Sequence, residues 1–178
     1  MERDWNLHYS RWVIDDGEPE LHVGEEFDWF AVGFWSDAPL VRSTENTRSA
    51  IPIADGRSRV NAEVIYKSQD TKLSTLIIDF GIRAECDGAD LLPDGCVEGD
   101  YVSGEISLEL PLCTAPHSYD LSHRWRANEI FADLTPFVLS SVGRVYVRDS
   151  SQIRYQTVTG TDSVKAYSYL LNCSLLTS

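Results

Sequence analysis

Residues 23–35, Val-Gly-Glu-Glu-Phe-Asp-Trp-Phe-Ala-Val-Gly-Phe-Trp, are apolar on both faces of an extended chain. Successive strand side chains alternate, so Phe27, Trp29 and Trp35 point one way and Phe30, Val32 and Phe34 the other. Such a strand needs cover on both sides, inside a barrel or sandwich or beneath another element. Gly24 and Gly33 bracket it, and glycine within a strand marks a bulge or a bend where a barrel turns. The rest of the chain reads as the layers that cover this strand.

Upstream, Trp5, Leu7 and Tyr9 recur at period two and predict an opening strand, which the acidic turn Asp15 to Glu20 ends. Downstream, residues 36–59 are polar and turn-rich, a loop or two short edge strands. Val60 to Lys67 alternates, and Leu76 to Cys86 reads as one strand paired with it in a hairpin. In that strand Leu76, Ile78, Phe80, Ile82, Ala84 and Cys86 are expected inward, with Asp79, Arg83 and Glu85 outward. Val102 to Leu110 gives another half-buried strand. Its lead-in, residues 97–103, echoes residues 23–29: a Gly-acid turn feeding a strand.

In the last third, Thr135-Pro136 supplies an N-cap and first helical residue and Gly143 a C-terminal stop, predicting a short helix over Pro136 to Val142. Arg144 to Arg148, Ile153 to Val158 and Val164 to Leu175 then predict a three-stranded meander. No stretch sustains helical apolar spacing. The fold class is therefore all-β, or a strand-dominated α+β. The expected form is a small, partly open β-barrel of OB-like or SH3-like type, extended by the C-terminal three-stranded meander and one short helix. A β-sandwich is the alternative. The 178 residues fit a single domain, 1–178, or two tightly packed halves, 1–112 (barrel) and 113–178.

A net charge of −13 repels phosphates and anionic lipid, so neither nucleic acid nor a membrane is an expected partner. A basic protein is. MERDWNLHYSRW contains no apolar signal region, and no apolar run approaches the roughly 20 residues of a membrane-spanning helix, so a cytoplasmic location is expected. Cys86, Cys96, Cys113 and Cys173 form no C-x-x-C pair and read as reduced, structural thiols.

From Glu85 to His123 there are nine Asp or Glu and no Lys or Arg, and Asp15 to Leu40 is equally bare of bases. If the two stretches are neighbours, Glu25, Glu26, Asp28, Glu98, Asp100, Glu105 and Glu109 make one acidic face, with Tyr101 as an aromatic anchor. That face suits a non-catalytic binding protein, such as an inhibitor or immunity-type protein neutralising a toxin or nuclease. An alternative is an aromatic-lined barrel holding a small ligand or sugar near Trp29, Trp35 and Tyr66. A third reading is a metalloprotein or enzyme built on Cys113-x3-His117-x2-Asp120-x2-His123, whose side chains are of zinc-ligand type although the spacing matches no zinc signature. No cofactor is expected otherwise. His8 and His22 read as isolated structural histidines. An exposed strand at the C-terminal edge offers a route to a homo-oligomer.

Overall fold

The alternating first residues form β1 (Asp4–Ser10), which runs straight into α1 (Arg11–Asp15). This one-turn helix buries Val13 and Ile14 and is bridged by Arg11 and Asp15 at 3.0 Å, an i,i+4 pair. Short strands follow: β2 (Glu26–Phe27), β3 (Gly33–Trp35), β4 (Val41–Arg42) and β5 (Ser49–Pro52). The long strands are β6 (Arg57–Lys67), β7 (Thr75–Asp79), β8 (Arg83–Asp87) and β9 (Tyr101–Leu110). The last third contributes β10 (Trp125–Asp133), β11 (Phe137–Leu139), β12 (Tyr146–Arg148), β13 (Tyr155–Val158) and β14 (Ser168–Leu175). The computed structural model describes residues 4–28, 31–68, 74–110, 121–140, 143 and 145–176.

Five strands close a small barrel in the order β3-β8-β7-β6-β9 and back to β3. All of these pairs are antiparallel except β3 with β8, which meet in parallel at Gly33 and Glu85. β6 serves three neighbours, β5 outside the ring and β9 and β7 within it. Arg57 to Glu63 pair with β9 and Glu63 to Lys67 with β7, and the β7 ladder carries a register shift between Val64 and Tyr66. An extra residue on one strand bends it and sharpens its twist, which is how a single strand rounds a barrel corner. The ring is closed, where the sequence predicts a partly open one.

A second layer hangs from the barrel. β1 runs parallel to β9 through Leu7 and Leu108, then pairs along its length with β14, which pairs with β10, and β10 with β13. Trp5 lies between the layers, its ring 5.9 Å from Phe80 at a barrel corner and 6.4 Å from Trp125 on β10. Buried side chains of both layers form one continuous cluster. Each large side chain taken fully from water there contributes about 1.5–3 kcal/mol.

Several expectations are corrected. The strand over residues 23–35 is two short strands: β2 lies on β10, while β3 lies between β8 and β9. Trp29 and Phe30 lie outside the described residues, whereas Phe27, Val32 and Phe34 are buried as the two-faced pattern requires. Leu76 to Cys86 is a tight hairpin, β7 and β8, broken at Gly81, whose φ is +114°. Its inward residues are all buried as expected. Asp79 and Glu85 are buried too; the Asp79 carboxylate accepts the Gly81 N–H within the corner and pairs with Arg48.

No helix forms from Pro136 among the described residues; Phe137–Leu139 is a strand. Thr135 does not cap a helix there, because its Oγ1 accepts the N–H of Arg154 at 3.0 Å. Phe137 and Val138, an aromatic and a β-branched residue, suit a strand. Three C-terminal strands form where expected, but they do not pair with one another: β12 pairs with β11, β13 with β10, and β14 with β10 and β1.

Candidate functional site

Where β1, β9 and β3 lie side by side, their outer faces floor a cleft of about 790 Å³. His8 stands opposite Glu109 in the parallel register, and on the far side Glu109 stands opposite Gly33, which has no side chain to cover it. Trp35 lines the same floor with its ring 5.0 Å from that of His8. The walls come from remote segments: the Asp55-Gly56 turn between β5 and β6, Asp133 at the end of β10, and Arg148 on β12.

The wall is held by one guanidinium. Arg148 donates from Nη1 and Nη2 to the two oxygens of Asp55 at 2.9 and 3.2 Å, and from Nε to Asp133 at 2.8 Å. Its Nη2 also donates to the Tyr155 hydroxyl, which in turn donates to Asp55 at 2.8 Å. A planar fork gripping a carboxylate at two points fixes orientation as well as charge. Burial alone would raise the Asp55 pKa, but the hydrogen bonds from Arg148 and Tyr155 hold it below the usual carboxylate range. Asp55 has φ +60°, a left-handed conformation that non-glycine residues seldom adopt, and the network holds it there. Gly56 lets the turn close down: a Cβ there would stand 3.0 Å from His8 Nε2 and 2.6 Å from a Leu170 methyl.

His8 sits beneath this turn. Its Nε2 is shielded from solvent and has no hydrogen-bond partner among the described residues. Loss of solvation lowers its pKa to about 4, with Arg148 adding to the effect and Asp55 and Asp133 opposing it, so the imidazole is neutral at pH 7. Glu109 is shifted the other way, its carboxyl raised by the same loss of water. Both shifts mark a partly dry site, and perturbed titratable groups gathered in a cleft are a mark of functional sites.

The residues singled out from sequence fall in different places. Of the seven carboxylates, only Glu109 lines the cleft. Glu26, on β2, is bound by Arg126 and Arg124, whose hydrogen bonds lower its pKa. Glu25 accepts the His22 N–H, and Asp28 is exposed. At the other stretch, Asp100 accepts the Val97 N–H and pairs with Arg42, Glu98 accepts the Lys67 N–H, and Tyr101 donates to Glu63. Glu105 lies between Arg57 and Arg59. β2 and β9 are separated in the sheet by β10, β14 and β1. The Gly-acid echo is nonetheless real as backbone: Gly24 and Gly99 have φ +88° and +89° in matching turns.

Cys113, His117 and Asp120 lie outside the described residues. His123 has a ring nitrogen 3.2 Å from the Arg83 carbonyl oxygen and its ring against Trp125. Among the described residues no three His, Cys, Asp or Glu side chains gather in a way that could hold a metal ion. The thiols of Cys86, Cys96 and Cys173 are buried, and burial raises the pKa of each, that of Cys86 to about 12, so none is an activated nucleophile. No described helix is long and apolar enough to cross a membrane.

Asp55, Asp133, Arg148 and Tyr155 were not singled out by sequence reasoning, His8 was read as an isolated structural histidine, and Trp35 was expected in a barrel interior. Asp55-Gly56 was legible as a turn. Nothing local marked the other residues, because five separate segments supply them. Comparison with protein-family models, with curated proteins and with solved structures returns no match.

Proposed function

We propose that the protein is a non-catalytic binding protein that receives a cationic group, the lysine or arginine side chain of a basic protein partner, in this cleft. The observation that carries the reading is the state of the charges there. Both arginines lining the cleft are engaged within the chain, Arg148 by Asp55 and Asp133 and Arg57 by Glu105. The carboxyls of Asp37 and Glu109 have no such partner among the described residues, and Trp35 and the neutral His8 stand beside them. A cation gains from the surplus carboxyls and from the indole face; an anion meets no free cation among the lining residues. The net charge of −13 steers a basic partner toward the surface and disfavours nucleic acid and anionic membrane. An inhibitor or immunity-type protein that occupies the basic site of a toxin or nuclease would use this chemistry.

The test is an NMR titration of the full chain with agmatine, a small guanidinium, with N-acetylglucosamine as the neutral comparison. Agmatine should shift the His8 and Trp35 ring signals, and raising salt from about 20 to about 500 mM should weaken it several-fold. Asp37→Asn and Glu109→Gln should each weaken it as well. A sugar that shifts the same signals with no response to salt would replace this reading with a saccharide site.

A further inference from the structure

β11 and β12 form a two-stranded sheet with no third strand among the described residues. A hairpin of two strands is marginal in water unless one face is covered. The register places Phe137, Leu139 and Tyr146 on one face, and Val138, Val147 and, one residue beyond the ladder, Val145 on the other. All six are exposed. Arg148 and the ring of Phe137, 4.9 Å from Tyr167, tether the hairpin to the body.

The apolar surface continues past the hairpin. Tyr167 is 75% exposed and Trp12 66%, and two grooves of about 680 and 450 Å³ run alongside, sharing Lys165, Ala166 and Tyr167. With an aromatic side chain presenting about 150–250 Å², and with the four aliphatic side chains added, these exposed fractions leave roughly 800 Å² of apolar surface in water, counted over both faces of the hairpin and the grooves beside it. A stable interface needs about 800 Å² per partner.

We infer that this surface is the interface of a homodimer, the hairpin of each chain seated in the apolar groove of the other. One chain carries both the projecting ridge and the groove, which is the self-complementarity that a two-fold pair requires. The lining carries charge of both signs, Lys165 in both grooves with Arg11 and Asp15 in the smaller one, so this is a patch on which two chains of charge −13 can meet. The inference stands apart from the cationic-ligand reading.

Sedimentation velocity of the full chain from about 1 to 200 μM tests it, a range that spans typical micromolar self-association. A species of twice the 20.0 kDa chain mass is expected. Val145→Glu and Tyr167→Ser should each weaken dimerisation at least tenfold while circular dichroism stays unchanged. Ile51→Ser, at an exposed apolar position on β5 outside this surface, should leave it as it is. A chain that stays monomeric throughout, or a dimer indifferent to Val145→Glu and Tyr167→Ser, overturns the inference.

Discussion

His8 shows how much a single side chain's meaning depends on what is folded over it. Its free imidazole takes up a proton near pH 6.5 and the folded one only near 4, so between these values the unfolded chain binds more protons. Stability therefore falls as pH drops through that window, by up to about 3 kcal/mol in total. Glu109 works in the opposite sense: its raised pKa makes the folded form the better proton acceptor above pH 4.5, so stability is gained as pH falls toward that value. Asp55 is held low and titrates below the window. Urea denaturation at intervals from pH 7 to pH 4.5 should show the acid-side loss reduced in His8→Asn and enlarged in Glu109→Gln. An unchanged slope in His8→Asn would mean that the imidazole is hydrated and charged. From sequence, His8 was one histidine in a strand; the Asp55-Gly56 turn that dries it lies 47 residues away along the chain.

Among the elements, the β7–β8 corner shows what periodicity can and cannot report. Residues 76, 78 and 80 face inward before the corner and 82, 84 and 86 after it, so the alternation passes through the break without a change of phase. Asp79-Phe80-Gly81 was the only local sign of a turn. Gly81 has φ +114° and open space where a Cβ would stand. Gly81→Ala should then cost about 1–2 kcal/mol through backbone conformation alone, lowering the urea midpoint without altering the slope. A midpoint that does not move would show that the corner relaxes freely. The helix expected at Pro136 failed for a related reason. Thr135 and Pro136 fit a helix start equally well as a turn, and the bond that decides between them, from Arg154 to Thr135, comes from the residue that leads into β13, 19 positions along the chain.

For the molecule as a whole, charge is the quantity that sequence states most plainly and structure rearranges most. Among the described residues, nine arginines sit in ion pairs with carboxylates of the same chain: 11, 42, 48, 57, 59, 83, 124, 126 and 148. Most of these pairs are solvent-exposed and worth about 0–1 kcal/mol each. The surplus of 13 negative charges repels itself over longer distances. Salt screens distant charges more than touching ones, with a Debye length of about 10 Å at 0.1 M. The urea midpoint should therefore rise between about 10 and 150 mM sodium chloride; a fall would show that the ion pairs outweigh the repulsion.

The sequence by itself determined a strand-dominated chain, a small barrel, most of the strands and which of their faces lie inside, and an acidic surface. These follow from alternation, glycine and proline placement and residue counts, which act over a few neighbours or over none. Tertiary structure alone decided that the barrel closes, that β1 and β14 from opposite ends of the chain pair, and that His8, Trp35, Asp55, Glu109, Asp133 and Arg148 share one cleft. It also decided that three of the seven carboxylates of the expected acidic face, Glu26, Asp100 and Glu105, are already occupied by arginines. Pairing partners and buried charge networks join residues tens to more than a hundred positions apart, and hydrophobic period carries no label for which strand a given strand will meet.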